Sequence, residues 1–281
     1  MRHWPGRSVV TLMATALAAC TAADTAPPVD TGSLCVTALH VEATNAGPLP
    51  SRLTSLLGDE GQRLLATCDS CTSYPAIAAS FTTQVTQAFC GVASAVTVLN
   101  ASAVPKPLTD PYQPYAYFTQ CNIFNAKAKE KLDTGTVSNE GLTLAQATYL
   151  LNAQDGVRAT CFHAGPADNE ATAPDPGVPG CQVATSATAF RDAARSTLGH
   201  GQRYVLVNFS RATLSDDNRG GGHFSPLAAY NGTADHLLMM DVARYKYPPF
   251  WVDTDLLWSA MATTDTTSGR HRGFIVVETG G

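Results

Sequence analysis

A thiol becomes a nucleophile when its surroundings stabilise the thiolate, and Cys90 stands where a helix would do so. Val92, Ala95, Val96 and Leu99 follow it at helical spacing. The thiol would then occupy the first turn, where unpaired N–H groups carry partial positive charge. A free cysteine is equally common as plain core, so this feature alone leaves both readings open. Gln84, one loop upstream, is within reach to donate an amide N–H toward an oxyanion beside the Cys90 backbone N–H. A solvated surface glutamine looks the same in sequence. His223 follows Gly220-Gly221-Gly222. A run without side chains would leave the imidazole accessible and let a substrate approach the backbone at Gly222; a flexible loop is the alternative.

His223 has a candidate partner. The strand-like runs 223–230 and 236–243 flank an Asn231-Gly232 turn signal. A three-residue loop, Asn231-Gly232-Thr233, would set His223 directly opposite Asp241, at a separation suited to a carboxylate orienting an imidazole. A two-residue loop would put them on opposite faces. Base and orienter then follow the nucleophile by 133 and 151 residues, close to the roughly 130–150-residue separation of papain-like cysteine peptidases. The local stretch Gln87-Ala88-Phe89-Cys90-Gly91-Val92-Ala93 is not the Cys-Gly-Ser-Cys-Trp of papain. A different branch of that clan is expected.

Several elements must position these groups. Leu53, Leu56, Leu57, Leu64 and Leu65, interrupted by Gly58 and Gly61, predict short helical pieces. Thr143 to Gln146 is a capping box opening a helix that Gly156 closes. A third helix runs over 186–198, with Phe190, Ala194 and Leu198 on one face and Gly199 as its stop. The period then becomes strand-like over 204–210, 223–230, 236–243 and 273–278. Helices first and antiparallel strands last predict an α+β fold, with a helical N-terminal half and an antiparallel sheet in the C-terminal half. Residues 165–180, rich in Pro, Ala and Asp and bracketed by Cys161 and Cys181, read as a surface insertion stapled at its base.

The chain has 281 residues, is 44% hydrophobic and 15% charged, and carries a formal net charge of -5. That composition excludes a disordered chain, and the absence of a Lys/Arg block removes any footprint for nucleic acid. No apolar run is long enough for a transmembrane helix. Arg2 and Arg7 precede an apolar stretch from Val9 to Ala19, which reads as a signal peptide. Its end, Leu17-Ala18-Ala19-Cys20, resembles the lipobox of bacterial lipoproteins, in which Cys20 is lipidated; an ordinary signal peptide with a chance cysteine is the alternative. The expected organisation is a leader over 1–19, a lipid-anchored tether over 20–52 and a catalytic domain over 53–281. Export makes disulfides the expected state of Cys35, Cys68, Cys71, Cys121, Cys161 and Cys181, in an order that sequence leaves open. Cys68-Asp69-Ser70-Cys71 lacks the second pair that a zinc site needs, so a disulfide is expected there too.

Longer stretches resemble the phytochelatin synthase family, and in particular its short bacterial forms. They are 81–94 around Gln84 and Cys90, 117–124 (Tyr-Phe-Thr-Gln-Cys-Asn-Ile-Phe), 220–230 around His223 and 240–251 around Asp241; Ala260-Met261, Asp265 and Arg270-His271-Arg272 continue the match. The resemblance implies a papain-like fold in which the cysteine cleaves the Cys–Gly bond of glutathione, releases glycine and holds a γ-glutamylcysteinyl thioester. By position, Cys90 matches the nucleophile, His223 the general base and acid, Asp241 its orienter and Gln84 the oxyanion donor. Arg272 and Asp265 match the groups that grip the γ-glutamyl α-carboxylate and α-amino group. Arg211 matches another binding arginine, although the loop before the glycines is two residues longer than in the bacterial forms.

The resemblance sets glutathione and γ-glutamyl peptides as the expected partners. The lipobox adds the membrane through the lipid anchor at Cys20, and a homodimer is a further expectation. No resident cofactor is required; cadmium or zinc would act as an activator or as a glutathione complex. Hydrolysis is expected to exceed transpeptidation, because water is present at about 55 M whereas a second glutathione must be captured in a formed site. Two rival functions are an exported cysteine peptidase acting on γ-glutamyl cell-wall peptides and a non-catalytic metal-binding lipoprotein.

Overall fold

The computed structural model describes residues 48–109, 112–166 and 180–280. The leader, Cys20, Cys35, the tether through residue 47 and most of the 165–180 insertion lie outside the described residues.

In chain order the helices are α1 (Asp59–Ala66), α2 (Tyr74–Ser80), α3 (Cys90–Ala101), α4 (Ala126–Lys129), α5 (Thr134–Glu140), α6 (Leu144–Asn152), α7 (Ala187–Leu198), α8 (Arg211–Leu214) and α9 (Thr254–Met261). The strands are β1 (Thr54–Ser55), β2 (Val157–Ala164), β3 (Gln182–Ala184), β4 (Arg203–Ser210), β5 (Gly222–Asn231), β6 (His236–Met239), β7 (Phe250–Asp253), β8 (Thr264–Asp265), β9 (Arg270–His271) and β10 (Gly273–Thr279).

Local chemistry accounts for the helix ends that the sequence marks. Thr143 and Gln146 form the reciprocal capping box at the head of α6. The Ser186 hydroxyl accepts from Ala189 N–H at 3.1 Å and starts α7. α3 has no polar face: every residue from Cys90 to Leu99 is buried, as befits a helix enclosed on all sides.

The sheet has eight strands in the order β1-β7-β6-β5-β4-β10-β2-β3, antiparallel except for β2 and β3. Alternation along β4 divides its side chains between two cores. Tyr204 and Leu206 join the cluster built on α3 and α6, while Val205, Val207 and Phe209 join the one containing Phe190 and Leu198 of α7 and Leu257 of α9. A mixed α and β chain with a large, mostly antiparallel sheet results. Helices and strands are interleaved more than the sequence order suggests. β2, which the pattern reading leaves unassigned, pairs with β10 along its length, and α7 and α9 fall among the strands. Among the described residues no helix is long and apolar enough to cross a membrane.

The β5–β6 hairpin corrects the expected register. Asn231 pairs with His236, so the loop holds Gly232 to Asp235 rather than three residues. Asp235 takes a left-handed φ of 53°, a conformation that aspartate tolerates better than most residues. Arg191 of α7 holds its carboxylate with hydrogen bonds of 2.8, 3.0 and 2.7 Å, and Tyr230 adds one at 3.0 Å. Beyond the loop the register shifts at Ala228, so that Leu227 faces Met239. Continued from there, His223 and Asp241 are diagonal neighbours on one face, not direct opposites. Without the bulge they would fall on opposite faces, because a one-residue slip exchanges the two sides of a strand.

Candidate active site

Cys90 is the first residue of α3 and a free thiol, 7% exposed. Burial resists its ionisation. The hydrogen bond and charge of His223, with the backbone N–H groups of Phe224 and Gly91, outweigh that resistance and draw the thiol below the usual cysteine value. His223 Nε2 lies 2.8 Å from Asp241 Oδ1, which leaves Nδ1 for the thiol. Asp241 is fully buried, and its Oδ1 also accepts from Ala243 N–H at 2.9 Å. Burial opposes its charge, but His223, Arg211 and that N–H hold the carboxyl well below the ordinary range. For His223, burial and Arg211 oppose protonation and Asp241 prevails, so the imidazole is raised above its usual value. A thiol of lowered pKa, a proton carrier and an orienter are thereby assembled from α3, β5 and the segment after β6. That set suits nucleophilic attack on an acyl carbon with proton delivery to the leaving group.

A cleft beside Cys90 brings together Gly222, Arg272 and Asp265 with Gln87, Glu140 and Asn208. Arg272 Nη1 donates to the Thr264 carbonyl at 2.5 Å and the Thr263 hydroxyl at 3.1 Å, while Nη2 stands 3.8 Å from Asp265 Oδ1. Its Nε is buried without a partner. One cation and one carboxylate thus face the same space, complementary to a group bearing an α-carboxylate and an α-amine. Gly222 is needed for close approach, since a Cβ there would lie 3.1 Å from the Arg272 guanidinium.

Arg211, matched in sequence to a binding arginine, turns its guanidinium to the buried His223–Asp241 pair. The cause is electrostatic: a fully buried carboxylate draws the nearest cation inward.

Gln84 is 5% exposed, and its side-chain amide donates to the Thr86 carbonyl at 2.7 Å. Nε2 retains a second N–H for an oxyanion. Asn208 is a site residue that the sequence reading passes over. It is 5% exposed, and its Oδ1, buried without a partner, belongs to a residue on the cleft wall. The available signal was a single amide inside the otherwise apolar run Tyr204 to Phe209.

The other cysteines among the described residues are oxidised. Cys68 bonds Cys71 and Cys161 bonds Cys181, stapling the base of the insertion. Cys121 is disulfide-bonded as well.

Comparison with known proteins adds an independent line. The family model described as phytochelatin synthase matches residues 44–274. Glutathione gamma-glutamylcysteinyltransferase 3 of Lotus japonicus is 31% identical over 201 residues, covering 70% of this chain and 36% of that protein. Glutathione gamma-glutamylcysteinyltransferase 1 of Triticum aestivum is 32% identical over 199 residues, covering 70% and 34%. The Schizosaccharomyces pombe enzyme of that name is 26% identical over 210 residues, covering 73% and 43%. The chain spans about a third of the length of the first two.

Proposed function

Because the chain belongs to the phytochelatin synthase family, we propose that it cleaves the Cys–Gly bond of glutathione and carries the γ-glutamylcysteinyl group on Cys90 as a thioester. The observation that carries this reading is the shared cleft: the Cys90 thiol, hydrogen-bonded to His223, opens onto the same space as Arg272 and Asp265. The fold proposed is the papain-like one, with its helical N-terminal half. The Cys90 thiolate attacks the carbonyl carbon of the scissile bond. His223 gives its proton to the departing glycine nitrogen, the C–N bond breaks and the C–S bond remains. His223 then takes a proton from water, or from the amine of a second glutathione, as that group attacks the thioester. Arg272 would receive the γ-glutamyl α-carboxylate and Asp265 its α-ammonium group, while Asn208 Oδ1 offers an acceptor to a substrate N–H.

Water is the more abundant acceptor at about 55 M, so hydrolysis dominates unless a second glutathione is captured in a formed site. Incubation with glutathione, followed by mass spectrometry, tests both levels. Glycine and γ-glutamylcysteine are expected as main products, with the (γ-Glu-Cys)₂-Gly oligomer minor. Oligomer dominating at low millimolar glutathione would reverse the ratio, and no glycine at all would remove the reaction. Cadmium or zinc, added as glutathione complexes, would enter as part of the substrate; the chemistry above asks for no resident cofactor. Cleavage of γ-glutamyl cell-wall peptides with glutathione left intact would favour the peptidase alternative. The metal-binding alternative is disfavoured by sulfur chemistry: Cys68, Cys71, Cys161 and Cys181 are tied in disulfides and cannot serve as thiolate ligands.

Two further outcomes are expected. Gln84→Ala should lower the rate of thioester formation by about 3 kcal/mol of transition-state stabilisation, or some 10²-fold, with little change in glutathione affinity. An unaltered rate would remove Gln84 from the oxyanion site. The protein is proposed to be exported and held on a membrane by lipid at Cys20, ahead of a tether and a domain beginning near residue 53. Mass spectrometry of protein from its native membrane should find Cys20 as the acylated N-terminus; a soluble product cut at another bond would rule that out.

A further inference from the structure

We propose that Arg211 is a positioning residue that caps the far side of His223 and offsets the charge of Asp241, so that the imidazole passes its proton on instead of holding it. The proposal rests on the reaction given above. Arg211 Nη2 lies 2.7 Å from His223 Nε2 and 2.7 Å from Asp241 Oδ1, while Nε2 and Oδ1 are themselves 2.8 Å apart. Oδ2 is also 2.7 Å from Nη2, but off the N–H direction.

A guanidinium only donates, and an imidazole nitrogen presents one in-plane position. Because Nδ1 serves the thiol and the leaving group, Nε2 donates its N–H to Asp241, and Arg211, itself donating to Oδ1, acts on the imidazole as an adjacent charge. In papain-like peptidases a neutral asparagine occupies the orienting place. A bare aspartate there would bind the imidazolium proton more tightly. Asp241 with Arg211 is a pair of zero net charge, which returns the site toward that neutral arrangement.

Arg211 is fixed where this requires it. Its N–H donates to the Gly221 carbonyl at 3.0 Å, and its guanidinium lies 5.3 Å from the centre of the Tyr247 ring. Gly220 has φ 128°, and a Cβ there would stand 2.7 Å from the Arg211 Cβ, so the first glycine of the run seats this arginine as Gly222 seats Arg272. The charged or titratable groups acting on this centre are Cys90 from α3, Asp241 beyond β6, Arg211 from α8 and Tyr245 from the segment before β7. The Phe209 ring closes the β4 side edge-on at 5.5 Å.

The main readouts need no glutathione. In wild-type protein labelled with ¹⁵N-histidine, the neutral imidazole of His223 should carry its proton on Nε2 at high pH, donated to Asp241, because the proton that is passed on comes from Nδ1. In Arg211→Gln the imidazole midpoint should rise by about 1–3 pH units, the scale of removing an adjacent like charge, and the midpoint for Cys90 alkylation by iodoacetamide should fall. Arg211→Lys should keep both midpoints near wild type. An Nδ1-protonated neutral tautomer, which could take no proton on the side of Cys90, overturns the proposal. So do unchanged midpoints in Arg211→Gln with only a raised half-saturating glutathione, the result of direct substrate contact. If Arg211→Gln does not fold, the wild-type spectrum decides. A protein that shows the expected tautomer and midpoints but releases no glycine would sink the glutathione reading and leave this one standing.

Discussion

Cys90→Ala is expected to bring glycine release from glutathione to background, a loss on the order of 10⁴-fold or more, the scale seen when a covalent nucleophile is removed. Iodoacetamide should no longer label the domain at this position, since Cys90 is the free cysteine among the described residues. The change removes a small side chain from the cleft wall, so the fold should survive and the loss should be chemical. Near-normal turnover in this variant would end the enzyme reading. The same geometry fixes the pH profile of the intact protein. Below the depressed thiol pKa the nucleophile is protonated; above the raised imidazole pKa the proton for the leaving amine is gone. A bell is therefore expected, with its acid limb below the usual cysteine value of about 8.5 and its alkaline limb above the usual histidine value of about 6.5. Because the two groups touch, both limbs belong to the pair.

Asp241→Ala should damage stability and activity together. It removes the orienter of His223, which in related triads costs on the order of 10⁴-fold in rate. It also leaves Arg211, 9% exposed, with an uncompensated charge in the interior, and breaking one side of a buried ion pair costs about 3–5 kcal/mol. Urea unfolding at neutral pH would measure the second effect, and a stability within 1 kcal/mol of wild type would contradict the buried pairing. The sign of the pH dependence follows from the depressed carboxyl. Asp241 contributes stability fully above its unfolded pKa of about 3.9 and loses it as pH falls toward the folded value. The gap between wild type and variant should therefore close in acid. Substituting Arg211 as well should restore part of the lost stability, because the orphaned cation goes with it.

The amino-acid sequence by itself determined whatever depends on near neighbours along the chain. Apolar spacing after Cys90 placed the thiol at a helix start, Thr143 with Gln146 and Ser186 placed two more helix starts, and period-two runs marked β4, β5, β6 and β10, since caps and periodicities act over a few residues. Family stretches around Cys90, His223 and Asp241 named the chemistry without any geometry. Tertiary structure alone decided the relation between those stretches. The loop before β6 has its length because Arg191, on a distant helix, stabilises Asp235 in a left-handed conformation. Ala228 then bulges out of β5, close to Pro226, whose missing N–H was the one local hint. These two departures from a simple hairpin set the face on which His223 meets Asp241. The places of β2 and of Arg211 were settled in the same way. Each depends on which far residue offers a strand edge or a buried carboxylate, and pairings between distant residues leave no period in the sequence that forms them.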